Sequence, residues 1–223
     1  MKYLTAATIS VVLSFVLVGC GPGNKSETTS TSTSTSTVTS TTSPETSATP
    51  GAHKYTLADY VKDNNLTETQ IHHGDPGSPT INLPTPAGWQ TIKESNNAPY
   101  GGIVLSQPAD TNDPPSIVGL LVKLTGNVDQ AKLLESAPGE LQNLPGYQGG
   151  AGTASTLGGF KAWQLSGTYD KGGKKRAIAQ KTVVIPSGDG VFVLQLNADA
   201  SDTDQGPLMD AMKAIDEQTT ITV

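Results

Sequence analysis

Two places in this chain carry side chains whose types and spacing could do chemistry. The first is Cys20, the one cysteine of 223 residues, in the run Leu17-Val18-Gly19-Cys20. A thiolate is the strong nucleophile of the protein repertoire, and a cysteine placed directly after an apolar leader is suited to accept a lipid chain. The second is His72-His73-Gly74-Asp75, which with His53 holds all three histidines. A metal or hydrolytic centre there needs a third group at ligand distance. Nearby in sequence only Asp75 and His53 offer one, and adjacent histidines diverge in an extended chain. Histidines that bond their own loop backbone are therefore the expectation.

The surroundings of Cys20 support the lipid reading. Met1-Lys2 is a short positive start, and Tyr3 to Val18 is mostly apolar with no further charge. A run of this length is a secretory leader rather than a membrane span. Its end, Leu-x-Gly-Cys, resembles the lipobox of bacterial lipoproteins. That resemblance implies cleavage before Cys20 and acylation of its sulfur. Each buried methylene contributes about 0.8 kcal/mol, so two or three chains hold a protein at a membrane where one does not.

Three segments follow: a leader over 1–19, a lipid-anchored tether over 20–52 and one globular domain over 53–223. Between Ser26 and Thr49 the chain is mostly Ser and Thr, closed by Pro50-Gly51. It cannot bury enough apolar surface to offset its ordering entropy, and a spacer of this length reaches roughly 30 Å on average. Such a tract suits O-glycosylation and equally suits an unmodified linker. The formal net charge of −6 falls on the domain, because leader and tether balance. An acidic domain without a basic patch excludes nucleic acid as a partner. With no second cysteine there is no disulfide, and stability must come from an aliphatic core.

Within the domain, Tyr55 to Asn64 predicts a helix with a Thr56–Asp59 capping box and Leu57, Tyr60 and Val61 on one face. Leu66 to Gly77 reads as a loop. Ser78 to Leu83 is extended and runs into Pro84 to Trp89, where Trp89 folds back as a core anchor or stands exposed in a sugar site. Gly101 to Gln107 and Ser116 to Leu124 predict strands joined by a turn-rich loop. The second is apolar on both sides (Ile117 and Leu121 against Val118, Leu120, Val122 and Leu124), which predicts a sheet covered on both faces. Val128 to Glu135 is helical, with Val128, Ala131, Leu133 and Leu134 inward and Pro138-Gly139 disturbing any continuation to Leu141. Leu144 to Gly152 is a Gly-rich loop that could rim a ligand groove. Phe160–Tyr169, Lys174–Ile185 and Val191–Ala198 form an antiparallel meander through hairpin turns. Asp204 and Pro207 open a helix to about Ile215 that buries Leu208, Ala211, Met212 and Ile215, and Thr219 to Val223 closes as a short strand. Gly149-Gly150 and Gly158-Gly159 are not phosphate cradles, because no helix follows them.

These elements make an α+β sandwich. Their order, the strand ending in Leu83-Pro84-x-x-x-Gly88-Trp89 and the late meander resemble the Mog1/PsbP-like fold, an α/β/α sandwich with a mostly antiparallel sheet. The chain as a whole resembles the mycobacterial lipoprotein LpqN family. The runs that carry this are His72 to Ile81, Ala98 to Val104, Ala137 to Leu141, Thr156 to Phe160 and Gln180 to Pro186. The resemblance implies a non-enzymatic, extracytoplasmic accessory protein held to the cell membrane through lipidated Cys20. It also implies that the protein handles a lipid or glycolipid, or docks on a membrane lipid transporter of the resistance–nodulation–division type, in mycolic-acid glycolipid export. It brings no catalytic motif, no metal site and no cofactor. An interaction scaffold without a small ligand is the alternative. An envelope hydrolase would need a nucleophile beside a base, and the sequence has no Gly-x-Ser-x-Gly elbow.

Overall fold

A computed structural model describes residues 52–223; Cys20, the leader and nearly all of the tether lie outside the described residues. The described chain runs α1 (Leu57–Asp63), β1 (Thr67–Gln70), β2 (Thr80–Asn82), β3 (Trp89–Ile92), β4 (Gly102–Leu105) and β5 (Ser116–Thr125). It continues through α2 (Gln130–Ser136), α3 (Gly139–Gln142), β6 (Gln148–Gly149), β7 (Thr153–Leu157), β8 (Phe160–Lys171), β9 (Lys174–Ser187) and β10 (Gly190–Ser201). A single 3-10 turn then leads into α4 (Gln205–Gln218) and β11 (Thr220–Thr222).

Nine strands form one antiparallel sheet in the order β3-β4-β5-β10-β9-β8-β6, with β1 on β5 and β7 on β8. The fold is thus α+β with an antiparallel sheet, as expected. Its centre is the long meander, in which Leu194 faces Val183 on one side and Leu121 on the other. Successive side chains of a strand point to opposite faces, and both faces of this centre are apolar. Ile117, Leu121, Val183, Ile185, Phe192, Leu194 and Leu196 pack on one side with Leu208, Ala211, Met212 and Ile215 of α4. Val122, Leu124, Val184, Val191 and Val193 pack on the other with Leu57 and Tyr60 of α1 and Leu133 of α2. Helices on both faces give the α/β/α layering. Trp89 is 8% exposed within the first cluster, which makes it a core anchor and removes it from any sugar site.

Three local signals explain the helices. The Thr56–Asp59 capping box is formed in both directions at α1. Asp129 caps α2 by accepting from the Ala131 and Lys132 amides, and Tyr60 Oη clamps α1 to α2 by bonding the Asp129 amide and carbonyl at 2.8 and 3.1 Å. Pro138 separates α2 from α3, because a proline cannot donate to the preceding turn. Ala131, expected inward, is exposed, because it lies two residues, about 200° around the helix, from the fully buried Leu133. The segment Leu66 to Gly77 is not all loop: Thr67–Gln70 pairs with Thr125–Val122 of β5. Four polar residues carry no alternation, so β1 is made by the free edge of β5. The strands β3, β6 and β7 likewise pair where the sequence offers little pattern.

One buried charge ties α4 to the sheet. Lys181 on β9 is 1% exposed and donates to Asp216 of α4 at 2.5 Å and to Ser155 at 3.3 Å. Burying an ammonium is tolerable only while it is paired. Asp216→Asn is therefore expected to destabilise the domain by about 2 kcal/mol, the buried-pair cost discounted for the exposed side of Asp216, whereas Lys181→Met stays within about 1 kcal/mol of the parent. Urea unfolding of both variants checks this, and a larger loss for Lys181→Met would remove the pairing argument.

Candidate functional site

The site lies where the sheet runs out of cover. β3 is the outer strand at one edge, and after Ile92 the chain leaves it through Lys93-Glu94 into a tight turn, in which Ser95 and Ala98 exchange backbone hydrogen bonds at 3.0 and 3.1 Å. Tyr100 then returns beside β5, its amide donating to the Gly119 carbonyl at 2.9 Å. Gly101 and Gly102 make this return possible. Both have positive φ (64° and 158°), and a Cβ on Gly102 would stand 2.2 Å from the Ile117 carbonyl. Only glycine lets the start of β4 lie this close to β5.

The His72–Gly77 loop folds onto the same corner. The Ile71 amide donates to the Leu121 carbonyl, carrying the chain one residue past β1 along β5. Asp75 shapes the turn: its Oδ2 accepts from the His72 amide at 2.8 Å, and its carbonyl accepts from the Ser78 amide and hydroxyl. The two histidines do not diverge. Both Nδ1 atoms meet Glu94, His72 at 3.0 Å and His73 at 2.5 Å, and the His73 amide donates to the same carboxylate at 2.8 Å. The third group that the sequence did not supply nearby is thus Glu94, 21 positions after His73. These bonds hold the Glu94 carboxyl down at about 2, the His73 amide and side chain being the main causes. An ionised carboxylate only accepts, so each Nδ1 donates to Glu94. The ring of His73 stacks on Tyr100, centroids 3.8 Å apart and 18° from parallel. Tyr100 is 2% exposed, and burial first, then Glu94 and Asp75, raise its phenol above the usual range, so it stays neutral.

A cleft of about 530 Å³ opens beside this cluster, between β2 on one side and β3, β4 and Tyr100 on the other. Ile81, Leu83, Ile92 and Ile103 line it with apolar surface, and Asn82, Thr85, Thr91, Lys93, Glu94 and His73 add polar groups. It is an open cleft with a mixed polar and apolar lining. A second cleft of about 210 Å³ lies between β8, β9 and α4. The Gly-rich loop at 144–152 reaches only this smaller one, through Gln148.

His53 is not part of the corner. Its Nε2 bonds Asp59 at 2.8 Å and strengthens the α1 cap, lowering the Asp59 carboxyl to about 2 together with Thr56. Among the described residues no three His, Cys, Asp or Glu side chains are placed to hold a metal ion. Among them, too, no serine or threonine hydroxyl bonds His72 or His73, whose Nδ1 atoms are spent on Glu94. In this corner, then, the imidazoles are paired with a carboxylate and not with a hydroxyl. Sequence reasoning missed Glu94 and the role of Tyr100. The one signal available was a carboxylate following a strand at the sheet edge, which becomes meaningful only with the register of β3 on β4.

Comparisons with known proteins agree with this architecture. The family model described as "Probable lipoprotein LpqN" matches residues 53–222. The chain is 60% identical over 227 aligned positions to lipoprotein LpqN of Mycobacterium tuberculosis (strain ATCC 25618 / H37Rv), covering 100% of both chains. It also resembles the crystal structure of LpqN involved in cell envelope biogenesis of Mycobacterium tuberculosis, at a TM-score of 0.76 and 65% identity, over 77% of this chain and 100% of that one.

The Glu94 bonds carry a pH signature. A carboxyl whose folded value lies below its ordinary 4.5 stabilises the fold above that value and loses its contribution as pH falls towards about 2. Glu94→Gln is expected to lower Tm by about 2 °C at pH 7. The gap should shrink as the parent is titrated from pH 4.5 downward. Thermal melts of both proteins from pH 4.5 to pH 3 check it, and a gap that does not shrink over that range would contradict the ionised state of Glu94.

Proposed function

The chain belongs to the LpqN lipoprotein family, and on that premise we propose that it is a lipid-anchored accessory protein of the cell envelope. In this reading it does no catalysis, and its larger cleft holds the apolar part of a lipid or glycolipid. The observation that carries it is the cleft itself. The partly exposed Leu83 and Ile92 give it an apolar wall backed by the buried Ile81 and Ile103, and His73, Asn82, Thr85 and Thr91 supply polar groups beside it. Binding sites of this kind take affinity from apolar burial and orientation from a few polar groups. The part that the LpqN of known structure takes in cell envelope biogenesis is in keeping with such a role.

The anchor completes the proposal. Cleavage before Cys20 and acylation of its sulfur would place the domain on the extracytoplasmic side of the membrane, with residues 20–52 as its tether. Among the described residues no helix is long and apolar enough to cross a membrane, and acylation supplies the attachment instead. A tethered domain of this kind would pass its cargo to, or dock on, a transporter of the resistance–nodulation–division type in the export of mycolic-acid glycolipids.

Native mass spectrometry of residues 53–223 after exposure to an extract of envelope lipids tests the cleft. A retained lipid mass is expected, and Thr91→Trp, an exposed position on the cleft wall, should reduce retention about tenfold while leaving the fold intact. A clean protein mass from the folded parent would overturn lipid handling and favour a scaffold without a small ligand. Separately, Cys20→Ser in the full chain should move the protein out of the membrane fraction. Unchanged membrane association would overturn the anchor.

A further inference from the structure

The cluster of His72, His73 and Glu94 does more than fold a loop, because of where it sits. His73 and Glu94 both line the larger cleft. The His73 ring covers Tyr100, which lines the same cleft. The loop that carries the two histidines reaches the sheet through three bonds to one carboxylate, two of them from imidazole nitrogens. Imidazole is the side chain that changes charge within the pH range a cell envelope meets. We propose that His72, His73 and Glu94 form a proton-operated latch that tightens the mouth of the cleft as pH falls from neutral to mildly acidic. The proposal rests on the reading of the cleft as the ligand site.

The charge balance sets the direction. With both rings neutral, each Nδ1–H donates to an ionised acceptor and no ion pair exists. A proton taken up at the free nitrogen of a ring turns that bond into an ion pair with Glu94 and strengthens it. Three other groups, Asp75, Tyr100 and Lys93, bear on the cluster. Asp75, within the loop, bonds the His72 amide and adds a second negative charge. Glu94 stays ionised through this range, held at about 2. Tyr100 remains neutral, and a protonated His73 above its face gains a cation–π contact. Lys93, which lines the same cleft, opposes protonation. Two carboxylates for two imidazoles leave the cluster balanced when both rings are charged. The loop is then held most firmly in acid, and a bound ligand leaves most slowly there.

Hydrogen–deuterium exchange of the His72–His73 segment reads the latch directly. The protein used is the chain from Gly21 to Val223, which keeps the tether; the crystallised relative corresponds to 77% of this chain, so its globular part folds without leader and acyl chains. Exchange corrected for the intrinsic pH effect is expected to slow roughly three- to tenfold between pH 7.5 and pH 5.5, the range two partly exposed ion pairs provide. Glu94→Gln and His73→Asn, which keeps a donor without a titrating ring, should both flatten the dependence. Exchange that is flat in the parent, or equally pH-dependent in Glu94→Gln, would overturn the latch.

Control of the cleft is read with 1-anilinonaphthalene-8-sulfonate, whose charge is constant over this range. The part of its binding lost in Thr91→Trp should dissociate more slowly at pH 5.5 by the same factor. Equal dissociation rates at the two pH values would overturn the latch as a gate even if the loop tightens. A probe that binds at neither pH would count against the cleft itself, while the exchange measurement still decides the latch.

Discussion

Everything in this domain hangs on a sheet that is apolar on both faces. The globular part has no cysteine, and aromatic residues are 5% of the chain. Neither disulfides nor large ring clusters hold it together. The substitute is the β5–β10–β9 centre, where Val193 beside Leu194 and Val184 beside Val183 send alternate side chains to opposite layers. A sheet built this way exposes two apolar surfaces and is stable only when both are covered. That demand places α1 and α2 on one side and α4 on the other, and it buries Lys181 between α4 and the sheet, where Asp216 pairs it.

The same demand explains where the site is. The helices cover the long central strands, and the short strands at the margin receive less. At the β3–β4 corner β2 and β11 form their own small ladder beside the sheet, and a cleft opens at the margin of the core that Ile81 and Ile103 belong to. Glycine at 101 and 102 brings Tyr100 over β5, and the two-histidine loop bonds Glu94 at the side of the cleft. The cleft is therefore a consequence of the packing, and its polar rim comes from the chain segments that must cross between strands.

Much of this was legible beforehand, for physical reasons that separate what was readable from what was not. The capping box of α1, the two-sided apolar pattern of β5, the hairpin turns of the meander and the inward face of α4 are local signals, and the structure contains each of them. β1 was hidden because an edge strand of Thr, Glu, Thr and Gln is set by its partner rather than by its own pattern. Glu94 was hidden for a related reason. A carboxylate and two histidines 21 residues apart have no relation in sequence until β3 pairs with β4 and the Ile71 amide binds β5. The opposite error, expecting the adjacent histidines to part, came from treating them as a free extended chain. Tyr100 was visible as part of the family resemblance, and its place under His73 was not.

The central claim is that the uncovered corner receives an amphipathic ligand. Chemical-shift mapping of the domain titrated with envelope lipids tests it most directly. Shifts gathered on the amides of Ile81, Thr91, Ile92 and Gly102, with Met209 beside the smaller cleft unchanged, are the predicted result. Shifts centred on Gln148 and Met209, or none at saturating lipid, would contradict it.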